Sequence, residues 1–286
     1  MSKKLNLCPC GSGIPEKLCC GSPKQINIML KTFNSPQERQ ELLNDIDLSR
    51  EFNMRYRGLF EYYGKDLIAY KRIYRNDKRV NDFLDDFSYY MTDHLEEDCP
   101  PSWEHCYPPF WEELIFAYIP LVTKISPQKN ETKQFLTQLK SFIHWLDTRV
   151  GTSWASVVNR YVSEAASPLQ QCEDLFNQLF LSQFPNFYQD DWNYDQDIEN
   201  LAQQIQTQEN TLDSIYKITE VSGNIVLLTE LDTQRCYPVL GLPCQSLSQG
   251  MLIDCILGRK NEELFWSCDF TQCVFPERAE KYIMFV

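Results

Sequence analysis

The sequence has few of the residues on which most familiar enzyme sites depend. Its 286 residues include only ten glycines and three histidines. They contain no Gly-x-Ser-x-Gly elbow, phosphate-binding loop, dinucleotide fingerprint or His-Glu-x-x-His motif. Adjacent acids such as Asp85 and Asp86 occur, but paired acids on polar helix faces are common and do not indicate an active site. The best-known hydrolase, NTPase and metalloprotease signatures are therefore excluded, and an enzyme of unrecognised type stays open as an alternative.

Long hydrophobic runs are also missing. The longest apolar segment, Leu114 to Val122, has nine residues and contains Pro120, whereas a membrane-spanning helix needs about 20. Residues 1–7 include no apolar stretch of the kind that a secretory signal requires. We therefore expect no membrane insertion and a cytoplasmic, reducing location.

The chain carries a large excess of negative charge. Its 40 acidic and 27 basic residues give a formal net charge of -13, which on average repels nucleic acid and anionic lipid. The composition is 43% hydrophobic and 13% aromatic, as is typical of a globular protein that buries a substantial core.

Four cysteines near the N-terminus form the strongest motif. Cys8 and Cys10 are separated by eight residues from Cys19 and Cys20, with Gly11, Ser12, Gly13 and Gly21 beside them. Clustered cysteines in a reducing compartment favour metal over disulfides, and four thiolates satisfy a closed tetrahedral zinc site. Iron also accepts four sulfurs, but zinc is favoured. A closed site has no open position for substrate, so we predict a structural Zn2+ that folds this segment.

This stretch resembles the SEC-C motif, a small zinc-binding module that ends the bacterial preprotein translocase motor ATPase and accompanies many unrelated bacterial proteins. The resemblance covers about 14 residues and implies zinc ligation by Cys8, Cys10, Cys19 and Cys20. It also implies contact with a protein partner or the ribosome. The family usually has several lysines and an aromatic residue between the cysteine pairs, whereas this chain has Ile14-Pro-Glu-Lys17-Leu18. Lys17 is therefore the single lysine that this stretch contributes to a basic contact surface.

Hydrophobic periodicity divides the chain into three predicted domains: a zinc module at 1–24, a helical domain at 25–210 and a β-rich domain at 211–286. The predicted fold class is α+β, with a small N-terminal zinc finger, a multi-helix all-α middle domain and a C-terminal small β-barrel or sandwich-like domain. Six or more helices and about six strands are expected, including a terminal run from Tyr282 to Val286.

Several local signals predict where individual helices begin, bend and end. We expect a helix to start at Pro36 behind Ser35, a kink at Pro120 and a restart at Pro168. Two apolar stripes carry the strongest helical pattern. The first consists of Val80, Phe83, Leu84, Phe87 and Met91. The second, which ends at Gly151, consists of Phe135, Leu136, Leu139, Phe142, Ile143 and Leu146.

Residues 50–79, the basic segment, are the best candidate for contact with nucleic acid. They hold nine Lys or Arg against four Asp or Glu, interleaved with seven Phe or Tyr. Such residues neutralise phosphates and stack on unpaired bases. On one continuous helix, a single face would hold Lys71, Arg72, Arg75, Lys78 and Arg79. The acidic stretch that follows favours intramolecular pairing instead.

Two of the three histidines lie close in sequence to two cysteines and an aspartate. The group is Asp93, His94, Cys99, His105 and Cys106. Their spacing matches no metal pattern, so we favour a loop in which these residues have packing or solvent roles.

The leading hypothesis for the whole chain is a zinc-binding adapter that contacts a protein partner. The alternative is a protein that binds nucleic acid or ribosomes, with Lys17, Lys71, Arg72, Arg75 and Lys78 as candidate contact residues.

Overall fold

The computed structural model describes residues 32–283. The chain divides into two compact units, Met1–Asn44 and Asp45–Val286. The predicted zinc module lies outside the described residues. Helix α1 (Pro36–Arg50) begins at the expected proline, and Ser35 Oγ accepts a hydrogen bond of 3.1 Å from the Glu38 N–H. This prediction of a serine-capped helix start is confirmed.

The fold is a mixture of helices followed by strands, as the sequence predicts at this level. The remaining described helices are α2 (Tyr62–Ile73), α3 (Lys78–Tyr89), α4 (Pro108–Glu113), α5 (Ile119–Val122), α6 (Glu131–Val150), α7 (Ala155–Gln183) and α8 (Tyr194–Gln206). The described strands are β1 (Asn210–Ser222), β2 (Ile225–Glu230), β3 (Cys236–Leu240), β4 (Leu252–Arg259) and β5 (Trp266–Phe275).

The helical core is built largely from aromatic rings. Every member of the two predicted stripes is buried, and the stripes meet where Phe87 and Phe142 pack edge to face with centroids 5.5 Å apart. Gly151 ends α6 with a φ of 79°, a left-handed conformation that glycine adopts without steric cost. Both stripes and the helix end are confirmed.

Helices α6 and α7 cap each other's N-termini. Asp147, near the end of α6, accepts hydrogen bonds from the backbone N–H groups of Trp154 at 3.0 Å and Ala155 at 2.8 Å. Glu173, in α7, accepts from the N–H groups of Glu131 at 2.9 Å and Thr132 at 3.2 Å. The first N–H groups of a helix have no partner within the helix. Two carboxylates therefore satisfy both helix starts and fix the alignment of the pair.

The structure tests the expected effect of Pro168 on its helix. The predicted restart at Pro168 is wrong, because α7 is continuous with Pro168 inside it. An internal proline costs a helix about 3 kcal/mol, but Ala165 and Leu169 on either side are fully buried, so packing holds the helix together. Near Pro120 the chain contains a π-helical turn, Leu114–Tyr118, in which the Ile119 N–H donates to the Leu114 carbonyl. Pro120 follows this wider turn, in the first turn of α5, and a kink of the helix axis there stays a prediction.

The five strands form a closed barrel in the order β1-β2-β3-β5-β4. All neighbours are antiparallel except β3 and β5, which are parallel and pair Val239 with Trp266. Strand β5 begins at Trp266, and Leu264, which is 80% exposed, lies outside it. The predicted run from Tyr282 is wrong at its start, because Tyr282 ends a 3-10 helix, Glu277–Tyr282, which follows β5.

The C-terminal half of α7 packs against the barrel. Cys172, Leu175 and Leu179 belong to the same buried cluster as barrel residues such as Ile253 and Val274. The change in periodicity predicted near residue 210 coincides with the start of β1 at Asn210. Helices and barrel thus share a continuous apolar contact within the unit Asp45–Val286.

A buried carboxylate joins α4 to the 3-10 helix that follows β5. Glu112 is 6% exposed and accepts hydrogen bonds from Arg278 Nε at 2.5 Å and Lys281 Nζ at 2.6 Å. Burial alone would raise the pKa of Glu112, but the hydrogen bonds from Lys281 and Arg278 lower the pKa overall. The Arg278 guanidinium also lies 4.4 Å from the centre of the Phe116 ring. Two cations therefore keep this buried acid ionised.

No helix within residues 32–283 combines the length and the apolar character that crossing a membrane requires.

We predict that Glu112→Ala lowers the free energy of unfolding by about 2 kcal/mol at pH 7, because it removes the acceptor of two charge-assisted hydrogen bonds from Arg278 and Lys281, whose side chains are 35% and 55% exposed. Urea denaturation of the full chain measures this loss. The matched control is Glu164→Ala, since Glu164 pairs with the same Arg278 but is 44% exposed, and such pairs contribute at most about 1 kcal/mol. Equal losses in the two variants would contradict the prediction.

Candidate functional site

The predicted zinc ligands Cys8, Cys10, Cys19 and Cys20 lie outside the described residues, as does Lys17. The metal site therefore stays a prediction from the sequence. Within residues 32–283, no group of three or more His, Cys, Asp or Glu side chains is arranged to hold a metal.

The residues around Cys99 and Cys106 have packing and hydrogen-bonding contacts. The Tyr62 hydroxyl lies 3.7 Å from Cys106 Sγ. Burial raises the pKa of Cys99 to about 11 and that of Cys106 to about 12, which keeps both thiols protonated at neutral pH. Thiols bind metals and act as nucleophiles in the deprotonated form. His94 and His105 are paired elsewhere, with Glu113 and Ser102.

The basic segment is not one helical face. The single face proposed for Lys71 to Arg79 required one continuous helix, and this condition is not met, because α2 ends at Ile73 and α3 begins at Lys78. Lys71 is 0% exposed: its ammonium group lies 2.8 Å from Glu51 Oε2 and also donates to the Arg75 carbonyl. Lys71 therefore holds the end of α2 and is not available as a surface contact.

Most cations of the basic segment are paired with carboxylates. Arg72 pairs with Asp45, while Arg75 and Lys71 share Glu51. Three further ion pairs are Arg50–Asp47, Arg55–Asp93 and Arg57–Glu61. Among the residues that the structure describes, Lys65, Lys78 and Arg79 make no ion pair. Intramolecular pairing thus occurs, but of these partners only Asp93 belongs to the acidic stretch that follows the segment, and the others lie before or within it. The pairing reduces the positive potential that nucleic acid would meet.

Exposed aromatic side chains nevertheless accompany these cations. Tyr56 is 58% exposed, Phe60 46% and Tyr74 42%, and the Arg50 guanidinium lies 5.9 Å from the Tyr56 ring centre. Of the predicted contact residues, Arg72, Arg75 and Lys78 are exposed. This surface has the cationic and aromatic residue types that nucleic acid recognition uses. Its net positive charge is smaller than the sequence suggests, because most of its cations are paired.

A cleft between α3, α5 and α6 collects charged residues that lie far apart in sequence. Its empty volume, with the open mouth included, is about 470 Å³. The buried rings of Phe83 and Phe135 line it with centroids 5.2 Å apart. The charged residues that line the cleft are Arg79, Asp82, Asp86, Lys124 and Glu131.

Sequence reasoning missed this cleft. Asp85 and Asp86 are neighbours in sequence, but they separate in the structure: Asp85 accepts a hydrogen bond from Asn53 at 3.0 Å, whereas Asp86 lines the cleft. The available signal was the spacing of Arg79, Asp82 and Asp86, which places all three on one helical face. Lys124 and Glu131 could not be assigned to the same place without the tertiary fold.

Asp86 has an unusual electrostatic environment. Burial raises the pKa of Asp86 to about 6, and the negative charges of Asp85, Asp82 and Glu131 act in the same direction, while Lys124 partly opposes them. Among the residues that the structure describes, none hydrogen bonds to the Asp86 carboxylate or forms an ion pair with it. Raised carboxylate pKa values in clefts are typical of functional sites.

The other buried carboxylates of the helical core have structural partners. Asp66 accepts from Trp103 Nε1 at 2.8 Å and from Arg149 Nε at 2.6 Å. Glu173 caps α6 and also accepts a hydrogen bond of 2.6 Å from the Thr132 hydroxyl. These contacts account for Asp66 and Glu173, and we take the cleft as the candidate site in the helical part of the described chain.

We predict that Asp86→Asn raises the free energy of unfolding by about 1 to 2 kcal/mol at pH 7. The Asp86 pKa is about 6 when folded and about 4 when unfolded, so stability falls as the pH rises from about 4 to 6 and stays low above that. The gain from the substitution should therefore vanish near pH 4. Urea denaturation at both pH values measures it, and a gain that is equal at pH 4 and pH 7 would contradict the assignment.

Comparison with known proteins found no matching family model, no similar curated protein and no similar solved structure.

Proposed function

We propose that this protein is a cytoplasmic zinc-binding adapter, in which an N-terminal SEC-C-like module holds a structural Zn2+ and contacts a protein partner. The four cysteines at 8, 10, 19 and 20 carry this proposal. Their number and spacing suit a closed site of four sulfurs, and zinc binding worth about 10 to 16 kcal/mol is enough to fold a segment of this length. Four lysines against one glutamate give residues 1–24 a charge of +3, which partly balances a zinc–thiolate centre.

The described cysteines provide a useful contrast. Burial holds the pKa values of Cys99 and Cys106 well above neutral, so these thiols are poor zinc ligands. Cys236, by comparison, is an exposed free cysteine on β3, outside the proposed site. Substitution of Cys236 therefore removes a thiol without touching the proposed ligand set.

We predict that the purified full chain holds about one zinc per chain through four sulfur ligands. Elemental analysis measures the metal content and X-ray absorption identifies the ligands. Cys8→Ser/Cys10→Ser should reduce the content below about half a zinc, whereas the control Cys236→Ser should keep it. Zinc content that is unaffected by the double substitution would refute the metal site.

The adapter role needs its own measurement. Chemical crosslinking in the native host, followed by capture of the full chain, should recover a partner with the unmodified protein and lose it with Cys8→Ser/Cys10→Ser. The Lys17→Gln variant should keep its zinc and capture less partner, since Lys17 lies between the cysteine pairs. A partner that is recovered equally by all variants would place the contact on another part of the chain.

The alternative function is binding of RNA or ribosomes through the basic segment. Its support is the exposed set of Tyr56, Phe60 and Tyr74 beside Arg75 and Lys78. Against it stand the ion pairs described above and the net charge of -13, so we rank it second.

If the alternative holds, replacing Arg72, Arg75 and Lys78 by Gln should weaken RNA binding at least about tenfold. It should also reduce the magnitude of the negative slope of log affinity against log salt concentration by about 2, as expected for three lost phosphate contacts on a single strand. Filter binding at several salt concentrations measures both values. Lys65→Gln, on α2 but outside the set, is the control. Affinity that the triple substitution leaves unchanged would remove this alternative.

A further inference from the structure

Two cysteines of the barrel lie near each other on neighbouring strands. Cys255 on β4 pairs with Thr271 on β5, and two residues further along β4, Leu257 pairs with Cys268. Residues that pair across two strands share a face of the sheet, and so do residues two apart on one strand. Cys255 and Cys268 therefore lie on one face at diagonal positions. Cys255 belongs to the buried cluster of the barrel, and Cys268 packs against the same cluster.

The two thiols and one hydroxyl group form a small hydrogen-bonded set. The Thr271 hydroxyl oxygen lies 3.3 Å from Cys268 Sγ, and the Cys255 thiol donates a hydrogen bond to Cys268. The hydrogen bond from Cys255 lowers the pKa of the Cys268 thiol, burial opposes this effect, and the contact with Thr271 reinforces it. Burial raises the pKa of Cys255 well above its ordinary value. Of the two sulfurs, Cys268 is therefore the one that becomes a thiolate more easily.

Exposure also distinguishes Cys268 from other thiols. Cys268 is half-buried, whereas Cys255 is buried, so a small molecule from solvent reaches Cys268 first. Cys99 and Cys244 are half-buried as well, but burial raises the pKa of Cys99 to about 11, and the Cys244 thiol lies 3.4 Å from the Leu242 carbonyl oxygen, to which it donates. Oxidation requires a thiolate that the oxidant can reach. Cys268 meets both requirements and has a second thiol beside it.

A β-bulge lies between the two diagonal positions. Ile256 pairs with Phe270 and Leu257 with Cys268, so Asp269 is the extra residue on β5. Diagonal Cα atoms of a regular antiparallel pair are about 7–8 Å apart, whereas a disulfide needs about 4.4–6.8 Å. The strands must therefore approach by about 1 Å, and the ladder is already interrupted at the bulge. A disulfide closed in this way is strained, and strained disulfides are reduced easily.

We propose that Cys255 and Cys268 are a redox-sensitive modification site, at which hydrogen peroxide produces a reversible disulfide. The Cys268 thiolate attacks one oxygen of the peroxide, the O–O bond breaks, and a sulfenic acid and hydroxide form. The Cys255 sulfur then attacks the sulfenic sulfur, so the S–S bond forms and the sulfenic oxygen leaves as water with the Cys255 proton. The two sulfurs lose two electrons in total. Two thiols and one hydrogen peroxide give one disulfide and two water molecules.

Peptide mapping of the full chain tests the proposal. The folded protein is treated with hydrogen peroxide, free thiols are blocked with N-ethylmaleimide, and unreduced peptides are analysed by mass spectrometry. A disulfide that joins Cys255 to Cys268 is expected, and reduced glutathione should remove it. Cys268→Ser should abolish it. The control is Cys236→Ser, which removes an exposed thiol that contacts Thr229 and should change the yield of the disulfide by less than about twofold.

Trapping of the sulfenic acid assigns the roles of the two thiols. Cys255→Ser removes the thiol that resolves the sulfenic acid, while the new hydroxyl group still donates to Cys268. Dimedone, which reacts with sulfenic acids, should therefore label Cys268 at least about fivefold more in this variant than in the wild-type chain. Circular dichroism and the unfolding midpoint establish that each variant is folded. The peptide map of the wild-type chain is decisive even if a variant does not fold.

Three results would each overturn the proposal: no bond between Cys255 and Cys268 in the folded wild-type chain after peroxide treatment, a bond that glutathione does not reduce, or no dimedone label on Cys268 in folded Cys255→Ser. The Cys8→Ser/Cys10→Ser protein should form the same disulfide, so a failure of the zinc proposal is distinguishable from a failure of this one.

Discussion

The reciprocal capping of α6 and α7 is the constraint on which the helical part of the structure depends. Asp147 holds the start of α7, and Glu173 holds the start of α6, so neither helix can slide along the other without losing backbone hydrogen bonds. Glu131, whose N–H is one of the capped groups, is also a lining residue of the cleft. A carboxylate in α7 thereby positions one wall of the candidate site in α6.

The distribution of charge explains why a basic segment does not make a basic surface. Along the sequence, residues 50–79 have an excess of cations, but folding brings Asp45, Asp47 and Asp93 against their arginines. Lys71 is fully buried beside Glu51, which converts a residue expected at the surface into part of the helix end. Most of the positive charge of this segment is thus paired within the molecule, whereas within residues 32–283 no cation forms an ion pair with Asp86 in the cleft.

The parts of the fold that follow from local periodicity could be predicted from the sequence. The apolar stripes of α3 and α6, the glycine that ends α6 and the onset of strands near Asn210 depend on residue spacing alone. Pro168 misled the prediction because the packing that overrides its local cost comes from residues far away in sequence. The cleft could not be predicted either, since Arg79, Lys124 and Glu131 meet only through tertiary packing. The four cysteines of the zinc module are assigned as ligands from their number and spacing in the sequence alone.

Helix α7 has a consequence for how the molecule unfolds. Its N-terminal half, with Val158 and Leu169, belongs to the aromatic core, and its C-terminal half, with Leu175 and Leu179, belongs to the barrel core. Fraying of this one helix exposes apolar surface in both places, so the two cores lose stability together. We therefore expect helices and barrel to unfold together, although they are different classes of secondary structure, and a cut in the chain between them to destabilise the barrel.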